Sequence, residues 1–392
     1  MGVYALAGTL LLLLLSHSCV PHGCSPAPTN CPDMGIRLRS FRLDSNCNYT
    51  TLIEKHIKDV QAPAIVLYVP IIYLVAFTVG LPANLLALWV LLFRTKKLPS
   101  TTLLINLTAT DLMLLMVLPF RIVYHFQGND WVFGESFCRI VIALFYGNVY
   151  GSVLCLMFIA VDRYVALVHP FGAQAFRSPR TSLYMTLAVW LVVLVAMAPL
   201  LSSRQSYKLL RPDITTCHDA LPQEAHVTYL LPYFLTLFFV CFMLPLVVIL
   251  FCHGSVIRVL AAEDGRYSHA LRITALVLLV FVVCLLPSNI LLLLHYSDSH
   301  LVLDGEDLYT PYMVSLAVST LNSSIDPFIF YYVSEDFRDR VRAVLCCRGG
   351  LGSDSSSGNQ ASYSSSKGTE GSKVTLLVKS SLNPGTSEGE VP

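Results

Sequence analysis

Charge is what this chain is short of. Only 13% of its 392 residues are Asp, Glu, Lys or Arg, against roughly 25% in a soluble domain. So thin a charged surface argues against a water-soluble globule, and 55% hydrophobic residues make a polytopic membrane protein the default class. No P-loop, no dinucleotide glycine fingerprint and no zinc-ligand spacing occurs, which removes the common cofactor-dependent enzymes. No His/Asp/Ser arrangement stands out from the apolar background, so the chain reads as a non-enzyme. The net charge of +1 identifies no partner, and no nucleic acid is expected.

Lysine and arginine are also missing from the first residues. MGVYALAGTLLLLLLSHSC is an apolar run without a basic start. Its shortness, with Ser16 and Ser18 ahead of Cys19, favours a cleaved signal peptide over 1–18 above a retained anchor. Residues 19–63 are polar and hold Cys19, Cys24, Cys31 and Cys47, whose pairing the sequence leaves open. The sequon Asn48-Tyr49-Thr50 makes Asn48 a glycosylation site if this part is extracellular.

Long apolar runs are what the chain does have. Seven recur, near 64–93, 99–125, 137–168, 182–202, 228–257, 270–295 and 309–333. Each suits a spanning helix, whereas barrel strands would be short and alternating. The expected fold class is an all-α membrane protein: a seven-transmembrane helix bundle over 64–333. Pro82, Pro119, Pro199, Pro245, Pro287 and Pro327 fall inside six of the runs, where they kink a helix whose freed carbonyl finds another partner.

Loop charge gives an orientation. Arg94, Lys96 and Lys97 follow the first span, Arg177 and Arg180 the third, Arg258, Arg266 and Arg272 the fifth, and Arg338, Arg340 and Arg342 the seventh. The loop after the sixth carries Asp298, Asp304, Glu306 and Asp307 and no base. The positive-inside rule then places the N-terminus outside. In 334–347, Phe337, Val341, Val344 and Leu345 share one face, as in a short amphipathic eighth helix on the inner surface. It ends at Cys346 and Cys347, read as palmitoylation sites or as plain thiols. Residues 348–392 form a Ser- and Gly-rich cytoplasmic tail expected to be disordered. Phosphorylation of Ser355–Ser357 and Ser364–Ser366 would make it an anionic docking strip.

Inside the spans, Asp111 is a mid-membrane carboxylate, expensive unless paired or solvated. Asp162-Arg163-Tyr164 puts charge where the third span leaves the membrane. With Asn84 in GLPANLLALWV, Asn106 in NLTATD, Trp190, Pro245, Phe281 and Pro287 in FVVCLLP, and Asp326-Pro327 in LNSSIDPFIF, the set resembles the rhodopsin-like G-protein-coupled receptors over roughly 64–347. The resemblance implies a disulfide between Cys138 and Cys217 and an Asp162–Arg163 lock that releases Arg163 towards a heterotrimeric G protein. It also implies a sodium ion in a pocket of Asp111, Ser152, Asn322 and Asp326; from the residues alone a hydrogen-bonded cluster without an ion is equally open. No other cofactor is implied. Cys155, Cys241, Cys252 and Cys284 read as packing residues.

A narrower resemblance follows. HFQGNDWVFGE, FYGNVYGS, PDITTCHDALP and LLLLHYSD look like the protease-activated receptors, nearest to the fourth subtype in the transmembrane region. That family carries its agonist in its own N-terminus, freed when a serine protease cuts after a basic residue. Of Arg37, Arg39 and Arg42, the resemblance favours cleavage at Arg39-Ser40, exposing Ser40-Phe41-Arg42-Leu43-Asp44 as the tethered ligand. Leu38 precedes Arg39 where proline would suit thrombin, so thrombin and another trypsin-like protease are equal candidates. The charges of this ligand and of the loops suggest a ligand site of Tyr146, His218, Asp219, His295, Tyr296, Tyr309 and Tyr312, with Asp219 taking a ligand cation. Arrestin at the phosphorylated tail, calcium mobilisation and a plasma-membrane location complete the expectation.

Three departures stand out: His253 and Phe330 replace tyrosines common in the wider family, and Leu285 replaces its tryptophan. They keep two alternatives open: a receptor for a diffusible peptide or nucleotide, and a weakly signalling protease-docking cofactor.

Overall fold

The computed structural model describes residues 40–41, 58–95, 98–169, 178–209, 213–222, 229–262, 268–296 and 308–346. Residues 1–39, Arg42, Leu43, Asp44, Asn48, Cys347 and the tail lie outside the described residues, as do the side chains of Tyr296, Leu345 and Cys346. Among the described residues, seven helices are long and apolar enough to cross a membrane. They are α1 (Val69–Phe93), α2 (Pro99–Phe126), α3 (Glu135–Val168), α4 (Pro179–Ser202), α5 (Leu231–Ala261), α6 (Ser268–Tyr296) and α7 (Tyr309–Val333). A shorter α8 (Glu335–Cys346) follows. Helices are the expected outcome, because hydrocarbon offers no partner to a free backbone group.

Burial sorts the bundle. The most apolar stretch of α3 is 78% buried and that of α4 only 28%, so α3 is the central post and α4 an outer one. Prolines sit inside the other six spanning helices, and α3 has none. Two prolines act through a widened turn. The π-helical segments Ala64–Tyr68 and Phe238–Met243 lie just before Pro70 and Pro245. A proline supplies no N–H and its ring crowds the carbonyl four residues back, and a π turn absorbs both defects.

Small residues set the closest approach. A Cβ built on Gly80 would lie 2.7 Å from Ser324 Oγ and 2.9 Å from a Leu115 methyl. Only glycine lets α1, α2 and α7 meet so tightly, as small residues do in membrane bundles. Ser178 caps α4 by accepting from the Thr181 amide at 3.2 Å. In α8, Phe337 and Val341 are buried, and Phe337 meets Phe330 of α7 edge-on. The amphipathic face read from the sequence therefore holds at those two positions.

Between α4 and α5, β2 (Ser206–Leu209) and β3 (Ile214–Cys217) form an antiparallel hairpin. Next comes β4 (Leu221–Pro222), which pairs in parallel with β1 (Ser40–Phe41), Ser40 facing Leu221 and Phe41 facing Pro222.

Candidate functional site

The disulfide expected between Cys138 and Cys217 is present, with Cα atoms 5.8 Å apart. It pins the end of β3 to the first turns of α3. The chain then reverses at His218, whose φ of 69° lies in the left-handed region that costs a non-glycine residue energy. Local hydrogen bonds offset that cost. The His218 amide donates to Gln205 O at 2.8 Å, and its Nδ1 lies 2.7 Å from Gln205 Oε1. The reversal leaves Asp219 3% exposed. Asp219 accepts from the Tyr124 hydroxyl of α2 at 2.5 Å.

Arg121, Phe145, Tyr146, His218, Asp219 and Tyr312 face one small cavity. Its volume, about 10 Å³, is at the lower limit for one water. Tyr146 and Tyr312 share a hydrogen bond of 2.6 Å between hydroxyls, which ties α3 to α7. His295 stacks flat on Tyr312, ring centres 5.2 Å apart. Of the ligand residues expected from the sequence, Tyr146, His218, Asp219 and Tyr312 thus converge on the cavity. His295 supports Tyr312 from behind, and Tyr309 is fully buried without facing the cavity.

Sequence reasoning missed Arg121. It is 3% exposed, and its guanidinium lies 5.6 Å from both the Tyr124 and Phe145 ring centres. Asp219 is one of the groups whose charge it feels most. Its Nε and Nη1 have no hydrogen-bond partner among the described residues. The signal was present in FRIVYHF, since a lone base within an apolar span is a functional-site hypothesis by default.

Deeper in the bundle, Asp111 Oδ1 accepts from Asn148 Nδ2 at 3.2 Å and from Ser152 Oγ at 3.4 Å. Asn322 Nδ2 donates to Asp326 Oδ2 at 3.2 Å, and Ser323 Oγ donates to Asn148 Oδ1 at 3.4 Å. Asn148 and Ser323 are additions to the expected set. Asp111 Oδ2 is buried without a hydrogen-bond partner among the described residues. Carboxylate and hydroxyl oxygens with one open acceptor are the donor set a hard cation takes, so the residues fit the implied sodium ion. The other shared motif residues also meet: Trp190 Nε1 donates to Asn106 Oδ1 at 3.0 Å, and Asn84 Nδ2 to Ser323 O at 2.8 Å.

At the opposite end from the disulfide, Asp162 is buried and Arg163 half-buried. His253 is 8% exposed and feels the charge of Arg163. Phe330 is buried, whereas Tyr331 accepts from Arg342 Nε of α8 at 3.1 Å. Tyr331 therefore faces α8 and does not take the place of the missing tyrosine. Leu285 is buried, and aromatic contact nearby comes from Phe281 stacked on Phe242 at 6.4 Å.

Residues 83–330 match the 7 transmembrane receptor (rhodopsin family). The chain is 50% identical to human Proteinase-activated receptor 4 over 277 residues, which are 71% of this chain and 72% of the relative. It is 40% identical to human Proteinase-activated receptor 3 over 268 residues, 68% of this chain and 71% of that one. With human Proteinase-activated receptor 2 it shares 37% over 324 residues, 77% and 80% of the two chains.

Proposed function

We propose, from the premise that this chain belongs to the proteinase-activated receptors of the rhodopsin family, that a serine protease switches it on by cutting after Arg39. The family makes it a multi-pass plasma-membrane receptor and not an enzyme. Cleavage leaves Ser40 as a new N-terminus, and Ser40-Phe41-Arg42-Leu43-Asp44 acts as the tethered agonist. The observation that carries this reading is the pairing of β1 with β4. In the uncut chain the backbone of Ser40–Phe41 already runs beside Leu221–Pro222, close in sequence to Asp219 of the cavity. Adding a strand to an open edge is a recurrent way to recognise an extended peptide.

Reach and concentration are sufficient. The stretch from Ser40 to Ala64 extends at most about 80 Å, far more than a bundle mouth needs. Tethering replaces free concentration with an effective one of about millimolar, so a weak peptide suffices. The ligand's cations, the Ser40 amine and the Arg42 guanidinium, meet the carboxylate of Asp219. Binding there pulls on the loop held by Cys217, and so on α3, whose far end bears Asp162 and Arg163 beside a heterotrimeric G protein. The N-terminus lies outside the cell, calcium mobilisation is the readout, and arrestin meets the phosphorylated tail. A sodium ion at Asp111 holds the resting state.

The test is intracellular calcium in cells bearing the wild type or Arg39→Ala, treated with thrombin, trypsin or SFRLD-amide. Protease and peptide should both fire the wild type, and only the peptide the mutant. Cleavage without any signal would favour the docking-cofactor reading, which Phe330 and the contact of Tyr331 with α8 support. Firing of Arg39→Ala by a soluble agonist other than this peptide, with no response to protease, would favour a diffusible ligand.

A further inference from the structure

Resting on that reading of the tethered ligand, we infer that Arg121 is an anion subsite that takes the carboxylate of Asp44, while Asp219 takes the cation of Arg42. The subsite is built rather than incidental. Arg121 is 3% exposed, flanked by the rings of Tyr124 and Phe145, and faces the same cavity as Asp219. Guanidinium does not lose its proton in proteins, so the charge must be met where it lies. Two of its nitrogens, Nε and Nη1, lack a hydrogen-bond partner among the described residues. They lie on different edges of the planar fork, so each can donate one charge-assisted hydrogen bond to a carboxylate oxygen. Leaving buried donors unmade is costly, so a ligand that brings an acceptor to one of them gains part of that cost back.

The ligand has the matching pattern. Arg42 and Asp44 are two positions apart, so in an extended segment they share one face, about 7 Å from each other. A cation and an anion at that spacing meet Asp219 and Arg121 on the lining of one cavity. The present cavity admits no more than a water, so binding must part the Tyr146–Tyr312 contact or its neighbours. Arg121 also selects: a ligand neutral at the fifth position leaves its charge unmet, and one basic there is repelled.

The experiment compares SFRLDS-amide, SFRLNS-amide and SFRLKS-amide by calcium response, at matched surface expression, on the wild type, Arg121→Gln and Arg121→Glu. On the wild type, the Asp-to-Asn change should raise the half-maximal concentration about tenfold to a hundredfold. On Arg121→Gln, the Asp and Asn peptides should converge. On Arg121→Glu, the Lys peptide should regain potency over the Asp peptide. Equal potency of the Asp and Asn peptides on the wild type overturns the inference, and needs no receptor variant to fold. A uniform loss for all three peptides on both variants also overturns it, and makes Arg121 the counter-ion of Asp219 alone. The parent reading fails differently, by silence of wild type to protease and to every peptide.

Discussion

Tyr124 donates its hydroxyl to Asp219 at 2.5 Å, and so fastens α2 to the connection between β3 and β4 just beyond the disulfide. The carboxylate it holds is almost wholly buried. Removing the hydroxyl leaves that charge short of a donor, at a cost of about 1.5–3 kcal/mol. Tyr124→Phe should lower the thermal stability of the purified receptor and weaken the tethered peptide about tenfold. An unchanged melting curve together with an unchanged peptide response would show that the contact carries neither.

The Cys138–Cys217 bond closes a long loop. Losing such a bond costs about 2–5 kcal/mol. Cys138→Ser, Cys217→Ser and the double variant should reach the cell surface to the same reduced extent, because one interaction is lost in all three. Surface staining would expose any additivity, and additivity would mean the two sulfurs act separately.

Phe330 and His253 stand where the wider family has tyrosines. Phe330→Tyr and His253→Tyr should each raise the maximal calcium response to SFRLD-amide. Tyr331→Phe loses only the exposed contact with Arg342, worth less than about 1 kcal/mol, and should leave the response near wild type. A large loss from Tyr331→Phe would instead give that residue the missing role.

Asp111 Oδ2 is an open acceptor of the buried polar network among the described residues. If sodium occupies it in the resting receptor, replacing sodium with choline should raise peptide potency in membranes from wild-type cells. Asp111→Asn should abolish that dependence. Equal sodium sensitivity in both would place any ion elsewhere.

Gly80 leaves no room for a side chain beside Ser324 and Leu115. Gly80→Val should destabilise the bundle by about 1–3 kcal/mol through overpacking, measured as a lower melting temperature in detergent. Pairing it with Leu115→Ala should return part of the loss.

The seven spans were legible because hydrocarbon imposes one requirement on every residue of a crossing helix, and a run of about 20 apolar residues records it. Cys138 and Cys217 were paired only through a family resemblance, since twelve cysteines leave spacing silent. Tyr146, His218, Asp219 and Tyr312, expected together as ligand residues, line one cavity. Arg121, Asn148 and Ser323 were not expected, because nothing in α2, α3 or α7 taken alone says which polar side chain meets which across the bundle. Pro245 was read as a kink and Pro70 was not singled out, yet a π turn precedes each: sequence marks the missing N–H, while the surrounding packing chooses how the backbone absorbs it.

The absence of proline from α3 has a mechanical consequence. The helix is one uninterrupted strut of 34 residues, about 50 Å long, and its first turns are bolted to the loop that carries His218 and Asp219. Its neighbours, each with a proline, have a soft joint at which a push can be lost. A displacement at Cys138 has no such joint to dissipate in, and arrives at Arg163 as a movement of the whole shaft.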